Sequence, residues 1–106
     1  MRRTAARILF LSLSSSLFVG CVAVPPPYEE YTLARSAVKA AQEVDSARFA
    51  TGLWHRAEEN FRNGQKAFKE SDYGPARAYF KKALEFAERA ENATRLKKFQ
   101  TGDSFP

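Results

Sequence analysis

Apolar residues change their spacing several times along the chain. From Ile8 to Gly20 they run nearly unbroken, interrupted by Ser12, Ser14, Ser15 and Ser16. From about residue 30 the spacing becomes three and four. Leu33, Ala37, Ala40, Ala41, Val44 and Ala47 then form one stripe, as an amphipathic helix requires, to Ser46 or a little beyond. Glu29 and Glu30 stand at its start, where the helix dipole favours negative charge. A second stripe of Trp54, Ala57, Phe61, Gly64 and Phe68 predicts a helix over about residues 53–70. A third, Ala76, Phe80, Ala83, Ala87, Ala90 and Thr94, flanked by Tyr79, Leu84 and Phe86, predicts a helix over about residues 75–97.

The punctuation fits these stripes. A break is expected near residues 49–52, where Gly52 weakens a helix and Thr51 can cap the next one. A second is expected at Ser71-Asp72-Tyr73-Gly74-Pro75, with Asp72 or Gly74 as cap and Pro75 in the first turn. Gly64 in mid-helix costs about 1 kcal/mol relative to alanine, which makes sense if another helix crosses there. The alanine-rich third stripe lets backbones approach closely, and Glu85 with Arg89 and Glu91 with Arg95 are spaced for exposed i,i+4 pairs. The expected fold is all-α: a short three-helix module over residues 30–98, one helix followed by an antiparallel helical hairpin. Residues 99–106 lose the periodicity and are expected to form a disordered tail.

The amino-terminal run has another character. Arg2, Arg3 and Arg7 precede it, and a small residue, Gly20, ends it, the layout of a secretory signal over residues 1–20. It is too short and too rich in serine to be a permanent membrane span, which takes about 18 to 20 apolar residues. Cys21, the single cysteine, follows at once. It has no partner for an internal disulfide, and an unpaired thiol in an exported chain is a liability. The segment Leu17-Phe18-Val19-Gly20-Cys21 resembles the lipobox of bacterial lipoproteins, departing from it at Phe18, where that family usually has leucine. The resemblance implies cleavage between Gly20 and Cys21, lipidation of Cys21 and attachment to a membrane. Val22 after the cysteine, by resemblance to enterobacterial lipoproteins, points to the outer membrane facing the periplasm. Residues 21–29 then read as a proline-rich tether, since Pro25-Pro26-Pro27 favour an extended conformation. From Cys21 to about Glu30 such a spacer would lift the body on the order of 25 Å from the bilayer.

Charge and chemistry narrow the picture further. Three of the 17 basic residues lie in the leader, leaving 14 against 12 acidic ones, a net charge of about +2. The charges are interspersed, which does not argue for nucleic acid. His55 stands at i+3 and i+4 from Glu58 and Glu59, a spacing that suits a divalent ion or, more often, a solvated helix face. No serine or cysteine has a histidine partner near it in sequence, and no phosphate-cradling glycine loop is present. The chain is therefore read as a non-enzyme without cofactor or metal. Nine phenylalanines, seven of them outside the leader, and four tyrosines exceed what so small a body easily hides. Tyr79 and Phe86 are expected to form an exposed strip for a partner or a second copy, and Arg56, Arg62, Lys66 and Lys69 to supply charge toward an envelope polymer such as peptidoglycan.

Residues 64–84 resemble the central part of a tetratricopeptide repeat: Gly64, Ala76, Phe80 and Ala83 occupy its small and aromatic packing positions, and Asp72-Tyr73 matches its turn. Only one copy is present. In overall layout the chain, over about residues 31–92, is similar to a family of short bacterial lipoproteins of unknown function. In that family an alanine-rich helix precedes such a pair, and longer relatives carry the module ahead of an OmpA-like domain. The resemblance implies a membrane-anchored helical module for protein interaction or structure. The alternative is a helical lipoprotein that contacts peptidoglycan.

Overall fold

A computed structural model describes residues 23–102, and every structural statement below concerns them; the leader, the cleavage position at Gly20, the lipidation position at Cys21 and the last four residues lie outside them. The stripes become four helices: α1 (Tyr28–Glu43), α2 (Ser46–Phe49), α3 (Thr51–Lys69) and α4 (Tyr73–Thr101). The expected three-helix module is thus corrected to a four-helix arrangement. The cause is Asp45, which turns into the left-handed region at φ 67° and ends α1 just where the sequence pattern runs on. Its amide donates to the Gln42 carbonyl, and its own carbonyl accepts from the amides of Arg48 and Phe49, starting the single turn of α2. The next interruption is at Ala50, so α3 begins at Thr51. Thr51 does not cap; its hydroxyl donates back to the Ala47 carbonyl.

The longest helix, α4, is the spine. At about 1.5 Å per residue its 29 residues span about 43 Å. Both α1 and α3 pack along it and touch each other less. Its buried residues are Ala76, Phe80, Ala83, Ala87, Ala90 and Thr94, the six positions of the third stripe. In α3 the buried residues are Trp54, Ala57, Gly64 and Ala67, with Phe61 and Phe68 half-buried. The α1 stripe is rotated from its expected position. Ala34, Ala37 and Ala41 face inward, and Leu33 is 47 % exposed. A methyl group at residue 34 fits against α4 where a leucine would hold the helices apart.

Chain direction follows from the contacts. Glu30 in the first turn of α1 pairs with Arg77 in the first turns of α4, and Ser46, just past α1, meets Thr94 far along α4. Hence α1 and α4 run parallel, and α3 runs against both. The turn between α3 and α4 is closed by a Schellman pattern: the Asp72 amide donates to Ala67 and the Ser71 amide to Phe68. Ser71 takes the left-handed position, at φ 58°, that glycine usually fills. Gly64 does mark a close crossing, because a Cβ there would lie 2.6 Å from the Phe80 ring. The exposed pairs Glu85 with Arg89 and Glu91 with Arg95 form at 3.7 and 2.8 Å.

Both ends of the folded body reach further than the periodicity indicated. The first turn of α1 includes Tyr28 and Glu29, which read as tether in the sequence. Pro27 is buried and its carbonyl accepts from the Tyr31 amide. At the other terminus α4 continues through Phe99 and Gln100 to Thr101 and closes at Gly102, which adopts φ 74°.

Candidate functional site

The aromatic side chains converge at one end of the bundle, where α1 and α4 begin and α3 finishes. Tyr28 and Tyr31 come from the first turns of α1, Phe61 and Phe68 from the second half of α3, and Tyr73 and Phe80 from the start of α4. Tyr31 stacks on Phe61 at 5.9 Å and meets Phe80 edge-on at 5.4 Å. Phe68 sits between Tyr28 and Tyr73, edge-on to each at 5.6 Å. Offset and edge-to-face pairs at these distances add about 0.5–1.5 kcal/mol each beyond the area they bury. The rings leave a cavity of about 280 Å³ between them, lined by Tyr28, Tyr31, Phe68, Phe80, Gln65 and the exposed Lys69. Its wall is almost wholly apolar. Gln65 and Lys69 are the only polar side chains in its lining besides the tyrosine hydroxyls, so the cavity can receive an apolar group.

An ion pair ties the approaching chain to this end. Arg77 Nε donates to Glu30 Oε1 at 2.7 Å, and Arg77 Nη2 donates to the Pro25 carbonyl at 3.3 Å. Both side chains of the pair are about three-quarters covered. The Glu30 carboxyl is held below the ordinary glutamate range, chiefly by its own backbone amide at the helix start; burial opposes this, and Arg77 and Lys81 add to the lowering.

The residues singled out from sequence divide between two faces. Tyr79 and Phe86 are half-buried, not an open strip. Tyr79 packs on the core and lines a groove of about 390 Å³ with Lys66, Asn63 and Asp72. Phe86 lies under two guanidinium groups, Arg56 and Arg89, each 5.6 Å from its ring centre. The groove therefore brings Tyr79 next to Lys66, and Phe86 meets Arg56 outside it. Arg62 is not in that groove; it reaches Glu58 at 3.4 Å and shares a depression with His55, Glu59 and Asn63. Lys69 turns to the aromatic cavity. No group of three His, Cys, Asp or Glu side chains among the described residues is placed to hold a metal ion. No helix among them is long and apolar enough to cross a membrane.

Sequence reasoning missed Tyr28, Tyr31 and Arg77. The two tyrosines do carry a signal, since Tyr28, Tyr31, Ala34, Ala37 and Ala41 continue one helical stripe backwards through spacings of three and four. Arg77 carries none, because its partner Glu30 lies 47 residues away.

A family model described as a domain of unknown function (DUF4398) matches residues 29–101, nearly the whole described body. No curated protein and no solved structure matches the chain.

Proposed function

The chain belongs to the DUF4398 family, and on that premise we propose that it is a membrane-anchored lipoprotein whose helical body serves as a non-catalytic interaction or structural module. Cys21 carries the lipid, after cleavage behind Gly20, and the body faces the periplasm from the outer membrane. One observation carries the reading: the basic, apolar leader ends at Gly20-Cys21 and is followed within seven residues by a folded helical body that has no membrane-spanning helix of its own. Two or three acyl chains on one sulfur hold a protein stably at a bilayer, at about 0.8 kcal/mol per buried methylene. An all-helical body with an apolar cavity and no catalytic set suits binding.

Labelling of growing cells with radioactive palmitate tests this. The wild-type chain takes up label and fractionates with the outer membrane; Cys21→Ser does not take up label and leaves the membrane fraction. Unlabelled wild-type protein, or a Cys21→Ser chain that stays in the membrane, would overturn the reading.

A second reading has its own support, the exposure of Arg56, Arg62, Lys66 and Lys69 along α3: a body that contacts peptidoglycan through these charges. Co-sedimentation with purified cell wall, lost in high salt, is its expected result. Its failure leaves the anchor untouched.

A further inference from the structure

The aromatic end of the bundle is also the end where the chain arrives from its anchor, and the link between the two is short. Pro25 is held by Arg77 and Pro27 is buried, so the body begins at Pro25 and not at Glu30. Three residues, or four residue-to-residue steps, separate Cys21 from that point. Whatever path they take, they reach at most about 14 Å. The polar zone of a bilayer is itself about 5–8 Å deep on each side, so a body on this leash cannot stand clear of the surface by more than about 6–9 Å. The part of it that must lie lowest is where α1 and α4 begin. There Val24 and Tyr28 are 49 % and 65 % exposed, Tyr28, Phe68 and Tyr73 form a continuous aromatic edge, and the apolar cavity opens beside them.

Resting on the anchored reading above, we infer that this aromatic end is a lipid-contacting surface: Tyr28, Phe68 and Tyr73 insert among the headgroups beside the acylated cysteine, and the helices stand up from the membrane on that end. Tyrosine suits the position, with an apolar ring toward the acyl chains and a hydroxyl toward water. Charge does not provide the attraction, because Lys66 and Lys69 at this end are offset by the exposed Glu70 and Asp72. The contact is therefore insensitive to salt and does not require anionic lipid.

The single tryptophan supplies an internal control. Trp54 is buried in the opposite half of the bundle with Ala87 and Ala90, 14 residues before Phe68 on α3, or about 21 Å along the helix. The test uses the lipidated protein purified from membranes and reconstituted into phosphatidylcholine vesicles, with acyl chains brominated near the headgroup or left plain. Fluorescence of the wild type is compared with that of Tyr28→Trp, both checked for helical content by circular dichroism. The expected result is that the emission added by Tyr28→Trp is lost in brominated vesicles at low and high salt, and that Trp54 emission stays unchanged. Protein that floats with the vesicles while the added emission persists overturns the docking and leaves the anchor standing. Equal quenching at both positions overturns the orientation. A blue-shifted reporter without quenching means that another protein, such as a second copy, covers the end, which also overturns the proposal. Protein that fails to float overturns the anchor, and the docking falls with it.

Discussion

Where α1 and α4 begin, large rings fill the space between helices; where α1 ends and α4 nears its finish, the helices close on one another over methyl groups. Phe80, fully buried, anchors the first region against Tyr31, Phe61 and the backbone at Gly64. In the second, Ala41, Ala57, Ala87 and Ala90 are all fully buried around Trp54, and a polar contact completes the packing. Thr94 Oγ1 lies 2.8 Å from the Ala90 carbonyl and 2.9 Å from Ser46 Oγ. Thr94 has one hydroxyl proton and the carbonyl can only accept, so Ser46 donates to Thr94, and neither side chain is left unpaired. A ring-filled region retains gaps and a usable cavity. A methyl-lined seam packs closely, and the cavity and the proposed lipid-contacting surface both lie in the first region.

The largest test of this contrast is truncation at the aromatic end. Phe80→Ala should lower unfolding stability by about 3–5 kcal/mol, read from urea denaturation, because the rings around it are held by each other and cannot all collapse into the space. The complementary change belongs at the other end. Ala87→Leu should cost about 1–3 kcal/mol through overpacking, although leucine is larger, more apolar and nearly as good a helix former. If instead Ala87→Leu were neutral in the same measurement, the seam would have room to spare and the distinction between the two regions would fail.

These two changes also mark what could be read from sequence. The third stripe, from Ala76 to Thr94, could be read because a long helix buried along one side repeats its pattern enough times to average out local exceptions. The rotation of α1 from Leu33 to Ala34 could not, since either register gives a fair stripe and only the distance to α4 decides between them. The one-turn helix α2 was hidden for a related reason: nothing in Val44-Asp45-Ser46 forbids a continuing helix, and tertiary packing sets the left-handed turn at Asp45. For the candidate site, the aromatic richness was evident, but its address was not. Tyr79 and Phe86 were favoured as neighbours on one helix, whereas the cavity is assembled from three helices and begins at Tyr28, a residue that follows three prolines and so reads as linker.

A smaller effect separates the two turns. Ser71 and Asp45 both occupy left-handed conformations, which cost most L-residues roughly 1–2 kcal/mol but which aspartate enters more readily than serine. Ser71→Gly at the aromatic end should therefore raise stability by about 1 kcal/mol, measured as a shift of the urea midpoint, and Asp45→Gly at the other end should gain less. Equal gains would show that the aspartate side chain does nothing for its turn.

The smallest effect sharpens the contrast through pH. The aromatic end carries the partly covered ion pair of Glu30 with Arg77, and the alanine end has the neutral pair of Ser46 and Thr94 in the corresponding place. Because the folded state holds the Glu30 carboxyl below its ordinary value, its contribution is present in full above the unfolded-state pKa, about 4.3, and is lost as pH falls through the lower folded-state value. Glu30→Gln should cost about 0.5 kcal/mol near neutrality, as expected of a pair still in touch with solvent, and progressively less as pH falls below the unfolded-state pKa and the wild-type carboxyl takes up its proton. Thr94→Val, which removes the neutral pair, should show a cost that does not change over the same range. Urea curves at neutral and acidic pH for the three chains read this directly. A Glu30→Gln deficit that persists undiminished in acid would mean that the Arg77 clamp on Glu30 and Pro25 owes its strength to shape and not to charge.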